Sequence, residues 1–187
     1  MPVDPRFANA WERFLALIPV FLGVVHVGIW VLAGLTLGRL EGPFPIHFDV
    51  AGRPDDFADP SSWWTLPAIG AGILLFMLGV LALTRRLIKT HPGVVNVPRK
   101  ADFLALPVEA RLRIMPRASQ LVLGLVLILH FVLLAIVRDT HRVALGELHA
   151  ISVWKLVILL ALVFVWVVVG LIRIGNAIRN ERARTPA

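Results

Sequence analysis

FLALIPVFLGVVHVGIWVLAGLTLG, residues 14–38, runs for twenty-five positions without an Asp, Glu, Lys or Arg. A helix rises 1.5 Å per residue, so about 20 apolar residues cross a hydrocarbon core about 30 Å thick. The pattern recurs along the chain. Residues 60–84 and 118–137 are equally free of charge, and between Glu147 and Arg173 only Lys155 interrupts. Four transmembrane helices are therefore predicted, over roughly 14–37, 66–84, 118–137 and 151–172. The run at 14–38 is longer than the 7–15 residues of a signal-peptide core, and no small-x-small cleavage site follows it, so it is expected to remain as an anchor.

Composition agrees with the runs. The 187 residues are 58% hydrophobic and 17% charged, with a mean hydropathy of +0.80, where soluble domains sit near 45–50% apolar. The expected fold is an all-α membrane protein, a single domain over residues 1–187 built as a four-transmembrane-helix bundle. A loop at 38–65 joins the first two spans and a basic loop at 85–117 joins the second and third.

The net charge of +7 raises the question of nucleic acid, but its placement points to lipid. Two Lys or Arg precede the first span, eight lie in 85–117 and four follow the last span; 38–65 and the third loop have two each. Alternate compartments thus hold 14 and 4, with Lys155 apart. Basic residues collect on the cytoplasmic side, so both termini and the 85–117 loop are expected inside and the 38–65 loop outside. Anionic headgroups, not nucleic acid, are the expected partners of these charges.

The 38–65 loop has internal structure. Phe44, Ile46, Phe48 and Val50 alternate with Pro45, His47 and Asp49, the period of a half-buried strand. Ala51-Gly52-Arg53-Pro54-Asp55 reads as a turn, and Asp59-Pro60 as a helix cap with proline in the first turn. Helix two is expected to begin near Pro60, with Trp63 and Trp64 in the interfacial aromatic belt. In the basic loop, PVEARLRIM (107–115) reads as a short helix lying on the membrane. Small residues at Ala68, Gly72, Gly79 and Ala82 suggest a packing face on helix two.

These loops carry a resemblance. Pro45-Ile46-His47-Phe48-Asp49, then Gly52, Pro54 and Asp55, resembles the P-I-H-F-[ND]-x-x-G-x-P-D pattern of an uncharacterised bacterial membrane domain. That domain stands at the N-terminus of immunity proteins against the sporulation-delaying toxin. Asn96-Val97-Pro98-Arg99-Lys100, followed by Phe103-Leu104, continues the likeness. Phe57 stands where many members have Trp, and the longer immunity proteins have further helices. The resemblance implies a bacterial inner-membrane protein and, by analogy, an immunity-like role.

Candidate chemistry rests on histidine. The chain has no cysteine, which excludes disulfides, thiolate catalysis and Cys-ligated metal. His26 lies 13 residues past Arg13, and His130 lies 13 past Arg117. With both helices running inside to outside, the two imidazoles sit at one depth, about 20 Å beyond the inner charge boundary. Polar groups at such depth are expensive. They either hydrogen-bond one another's helices or ligate a haem or chlorophyll metal. His26 shares a helical stripe with Ala16, Pro19, Gly23, Trp30 and Ala33. On the outer side His47, Asp49, His141, Glu147 and His149 could in principle hold zinc, but no tight ligand spacing supports it. Asp55, Asp56 and Asp59 suit turns and caps better than calcium. Lys155 is expected to snorkel outward. No acidic residue lies within a predicted span, and no nucleophile motif or phosphate loop is present, so no catalytic residues and no metal site are expected. The reading is a non-enzymatic accessory or immunity-like protein that binds another membrane component, a membrane protein or a second copy. The alternative is a haem- or chlorophyll-carrying or supernumerary subunit of an electron-transfer or photosynthetic complex.

Overall fold

The computed structural model describes residues 12–40 and 42–184. Residues 12–16 are helical, the chain turns at Leu17, and α1 follows over Ile18–Leu37. The turn falls two residues before Pro19, which has no N–H to carry a helix ladder backwards. Strands β1 (Phe44–Phe48) and β2 (Pro54–Ala58) form an antiparallel hairpin. A 3-10 turn at Pro60–Trp64 leads into α2 (Thr65–Thr90). After a second 3-10 turn at Pro92–Val94 come the short α3 (Lys100–Leu104), α4 (Val108–Ala144) and α5 (Val153–Arg184). Helices α1, α2, α4 and α5 are all long and apolar enough to cross a membrane. The protein is an all-α, four-helix membrane bundle with one small hairpin, and its helices are in contact with lipid.

By contact density the chain divides into two compact units. One comprises the described residues up to Ile18, Leu75–Leu125 and Phe164 onward. Its core gathers Ile88, Phe103, Leu106, Ala110, Ile114 and Ile178. One segment differs here from the sequence reading. PVEARLRIM does not lie apart on a membrane surface; from Val108 it is the first part of α4, which continues through Pro116. Ala110 and Ile114, one turn apart, are buried in the core. Arg111 turns back instead of meeting headgroups, donating to the carbonyls of Phe103 (3.1 Å) and Leu104 (2.6 Å) at the end of α3. The basic tail is likewise helical to Arg184, because Ile174 and Ile178 are buried and Glu181 accepts from Arg113 at 2.7 Å. Glycine brings α4 and α5 together in this unit. A Cβ at Gly124 would collide with the Trp166 ring, and one at Gly170 with Leu121. Trp166 Nε1 donates to the Leu121 carbonyl at 2.9 Å.

The other unit comprises Pro19–Leu74 and Val126–Val163, with a core of Val25, Ile29, Ala33, Phe44, Trp63, Leu133 and Val137. Trp63 is not in an interfacial belt. It is fully buried, with Nε1 donating to the Ala33 carbonyl at 3.1 Å and its ring 4.5 Å from that of Phe44. Trp64 is 41% exposed and stacks on Trp30. The expected packing face of α2 also faces elsewhere. Ala68, Gly72, Gly79 and Ala82 are exposed, and the buried positions within this unit are Trp63 in the 3-10 turn and Pro67 and Gly70 on α2.

Candidate functional site: the histidine pair and the hairpin

His26 on α1 and His130 on α4 meet inside this second unit, Nδ1 of the first 3.2 Å from Nε2 of the second. The partners at either end fix the protons. The Val126 carbonyl only accepts, so His130 Nδ1 carries a hydrogen and donates to it at 2.8 Å. Trp30 Nε1 only donates, and it reaches His26 Nε2 at 3.2 Å. The hydrogen between the rings therefore sits on His26 Nδ1. A single directed chain results, from Trp30 to His26 to His130 to the Val126 carbonyl, with both imidazoles neutral and all four ring nitrogens satisfied. His130 is fully buried. Gly70 of α2 passes over the pair; a Cβ there would lie 3.2 Å from Leu133 and 3.6 Å from His130 Nε2.

The same geometry bears on a tetrapyrrole. A first-row metal held between two imidazoles needs nitrogens about 4 Å apart, twice a metal–nitrogen bond of about 2.0 Å. At 3.2 Å there is no room for an ion between these rings. An axial bond to either Nε2 requires that its hydrogen bond be given up first.

A second polar node holds the same two helices. The Thr36 hydroxyl donates to the Leu32 carbonyl at 2.7 Å, which leaves its oxygen to accept from His141 Nδ1 at 2.9 Å. His141 is not in a loop, because α4 runs on to Ala144. That extension also brings Asp139 into a helix. It is 3% exposed and binds Lys155 Nζ at 2.9 and 3.1 Å, so Lys155 turns inward to a carboxylate instead of snorkelling away. The Ser152 N–H adds a bond to Asp139 at 3.2 Å.

The hairpin accounts for most of the motif residues. Asp49 Oδ1 accepts from the N–H groups of Ala51 and Arg53, both at 2.8 Å. Gly52 takes a left-handed φ of 79°, and its carbonyl accepts from Ile151 N–H at 2.8 Å. A Cβ at Gly52 would strike the Ile151 backbone, so glycine is required there on two grounds. His47 and Asp55 pair at 2.6 Å across the strands. Pro54 and Asp55 belong to β2 and not to the turn, which is confined to the residues before them. The expected alternation of faces holds only in part. Phe44 is buried, but Ile46 is 48% and Val50 97% exposed. The register shifts between Pro45 and His47, so Ile46 is an extra residue opposite the partner strand. Asp59 caps the 3-10 turn through Ser61 N–H at 2.8 Å. Its carboxyl is held below the ordinary range by the Ser61 side chain and backbone N–H.

The remaining candidates are dispersed. Glu147 pairs with Arg142 at 3.1 Å, His149 is exposed, and among the described residues no three His, Asp or Glu side chains gather as metal ligands. Asn96 is exposed, and Pro98 is half-buried beside Gly175. Gly70, Thr36 and Asp139 went unassigned in sequence. Only Gly70 carried a signal, its spacing of three and seven from Pro67 and Trp63. No family model, curated protein or solved structure matches the chain.

Proposed function

We propose that this is a non-enzymatic, immunity-like accessory protein of the bacterial inner membrane that works by binding another membrane component through its hairpin. One observation carries the reading. The hairpin lies outside the four apolar helices, yet it displays Ile46, Val50 and Phe57 at 48, 97 and 53% exposure. Two-stranded hairpins are marginal alone. This one is fastened by Phe44 against Trp63 and by Gly52 against Ile151, so the apolar side chains are presented on a fixed frame. Exposed apolar side chains held on a fixed frame favour a protein or membrane-surface partner. The 14-to-4 basic asymmetry supports placing the hairpin outside and both termini in the cytoplasm. The Pro45–Asp55 motif supports the immunity-like comparison. The closed chain from Trp30 to Val126 favours a structural role for the histidines over a cofactor-carrying subunit.

The test is affinity purification in mild detergent, with mass spectrometry and an absorption spectrum, on wild type and on the double variant Val50→Asp, Phe57→Asp. A membrane protein that co-purifies with wild type and is lost from the variant, without a pigment band, is the expected result. Equal recovery from both, or a Soret or chlorophyll band, refutes the reading.

A further inference from the structure

Beneath β1 the second unit contains a cavity of about 310 Å³, within the size range of small-molecule sites. Phe44, Phe48, Trp63 and Ile136 line it together with the hydroxyl residues Ser62, Thr65 and Thr140, and no charged side chain is among its lining residues. Thr140 is 1% exposed, and its hydroxyl has no hydrogen-bond partner among the described residues. A helical threonine ordinarily returns its proton to the carbonyl one turn back; Thr140 does not. Ser62 is different, because its hydroxyl proton already goes to the Asp59 carbonyl at 2.7 Å. Thr65 is exposed, so Ser62 is left only to accept and Thr140 is the buried hydroxyl left to donate.

We propose that this cavity binds the carbonyl-bearing end of a neutral lipid-phase molecule, with Thr140 donating to the carbonyl oxygen. Neutrality follows from a lining without charge, since a charged group buried there would lose its hydration with nothing to replace it. Entry from the lipid phase follows from α4, which supplies Ile136 and Thr140 and is itself long and apolar enough to span a membrane. The carbonyl follows from the unspent donor, because a buried hydroxyl left unpaired is costly and a carbonyl relieves it. A glycerolipid ester and a membrane quinone both offer this group.

The experiment measures binding to the full-length protein in detergent, by native mass spectrometry and by thermal shift. The probes are dioctanoylglycerol, decylubiquinone and tetradecane, the last an apolar control without a carbonyl. One-to-one, saturable binding of a carbonyl probe is expected. Thr140→Val weakens it about fivefold, the value of one neutral hydrogen bond, and Thr140→Ser restores it. Thr140→Val without ligand melts no lower than wild type, because it removes an unpaired hydroxyl, so its weaker binding cannot be put down to misfolding. Binding of dioctanoylglycerol alone assigns a glycerolipid ester, and of decylubiquinone alone a quinone; binding of both assigns the carbonyl as the recognised group. Binding of neither probe, tetradecane binding as well as either, or unchanged affinity in Thr140→Val overturns the proposal.

Discussion

Asp139 and Lys155 form an ion pair whose two ends differ in burial, and that difference yields an asymmetric mutational prediction. Asp139 has 4% of its side chain exposed, whereas Lys155 has 47%. Lys155→Met leaves a buried carboxylate whose remaining bond in this cluster is the Ser152 N–H at 3.2 Å. Removing one partner from a buried pair typically costs ~3–5 kcal/mol, because the other charge is stranded. Asp139→Ala strands the lysine instead, but a half-exposed ammonium on a flexible stem reaches water or headgroups. The loss should then be about 1 kcal/mol, near that of a partly exposed pair. Melting temperatures shift by roughly 2–4 °C per kcal/mol in chains of this size. Lys155→Met should therefore melt roughly 6–20 °C below wild type, and Asp139→Ala by a few degrees. The double variant should recover much of the Lys155→Met loss, since no buried charge remains. Thermal denaturation in one detergent, with all four proteins side by side, measures this. Equal losses from the two single changes, or a double variant no better than Lys155→Met, would refute the assignment of Asp139 as the buried end.

Further outcomes follow from the histidine chain, the hairpin and the cap. His26→Gln and His130→Gln should each cost only ~0.6 kcal/mol, the average of interhelical hydrogen bonds in membranes; His130→Leu should cost more by leaving His26 Nδ1–H without an acceptor, and a thermal-denaturation series orders the three. Phe44→Ala should cost ~3–5 kcal/mol as a buried aromatic truncation, while Val50→Asp, at an open turn, should stay within about 0.5 kcal/mol by the same assay. Asp59 has a depressed carboxyl pKa, so its cap is fully formed above the ordinary carboxylate range and is lost as pH falls through the lowered value. Comparing wild type with Asp59→Ala across acidic pH should show the difference in melting temperature closing as the pH drops.

The four spans were legible because hydrophobic thickness leaves a length signature that no local detail obscures. Matched depth was legible too: counting 13 residues from Arg13 and from Arg117 brought His26 and His130 level, and they touch. Helix ends were not legible, because tertiary partners decide them. Helix α4 extends past residue 137 because Asp139 finds Lys155 and His141 finds Thr36. It extends back to Val108 because Ala110 and Ile114 bury and Arg111 finds the α3 carbonyls. Hydropathy contains neither fact. The choice of glycine was equally hidden. Gly72 and Gly79 looked like contact points and face open space, while Gly70, Gly124 and Gly170 carry the close approaches. A small residue permits contact, and only the facing side chain decides whether contact occurs. The strand was visible from alternation, but the bulge at Ile46 was not, since it depends on a partner strand that begins within what read as a turn.

The most direct measurement of the hairpin's role is site-specific photo-crosslinking in intact bacterial membranes, with the photoreactive residue at Val50 and, as control, at Thr90. A single protein adduct from Val50, absent from Thr90 and identified by mass spectrometry as a membrane protein or a second copy of this chain, is expected. An adduct common to both positions, or none at Val50, would contradict a hairpin built to bind a membrane partner.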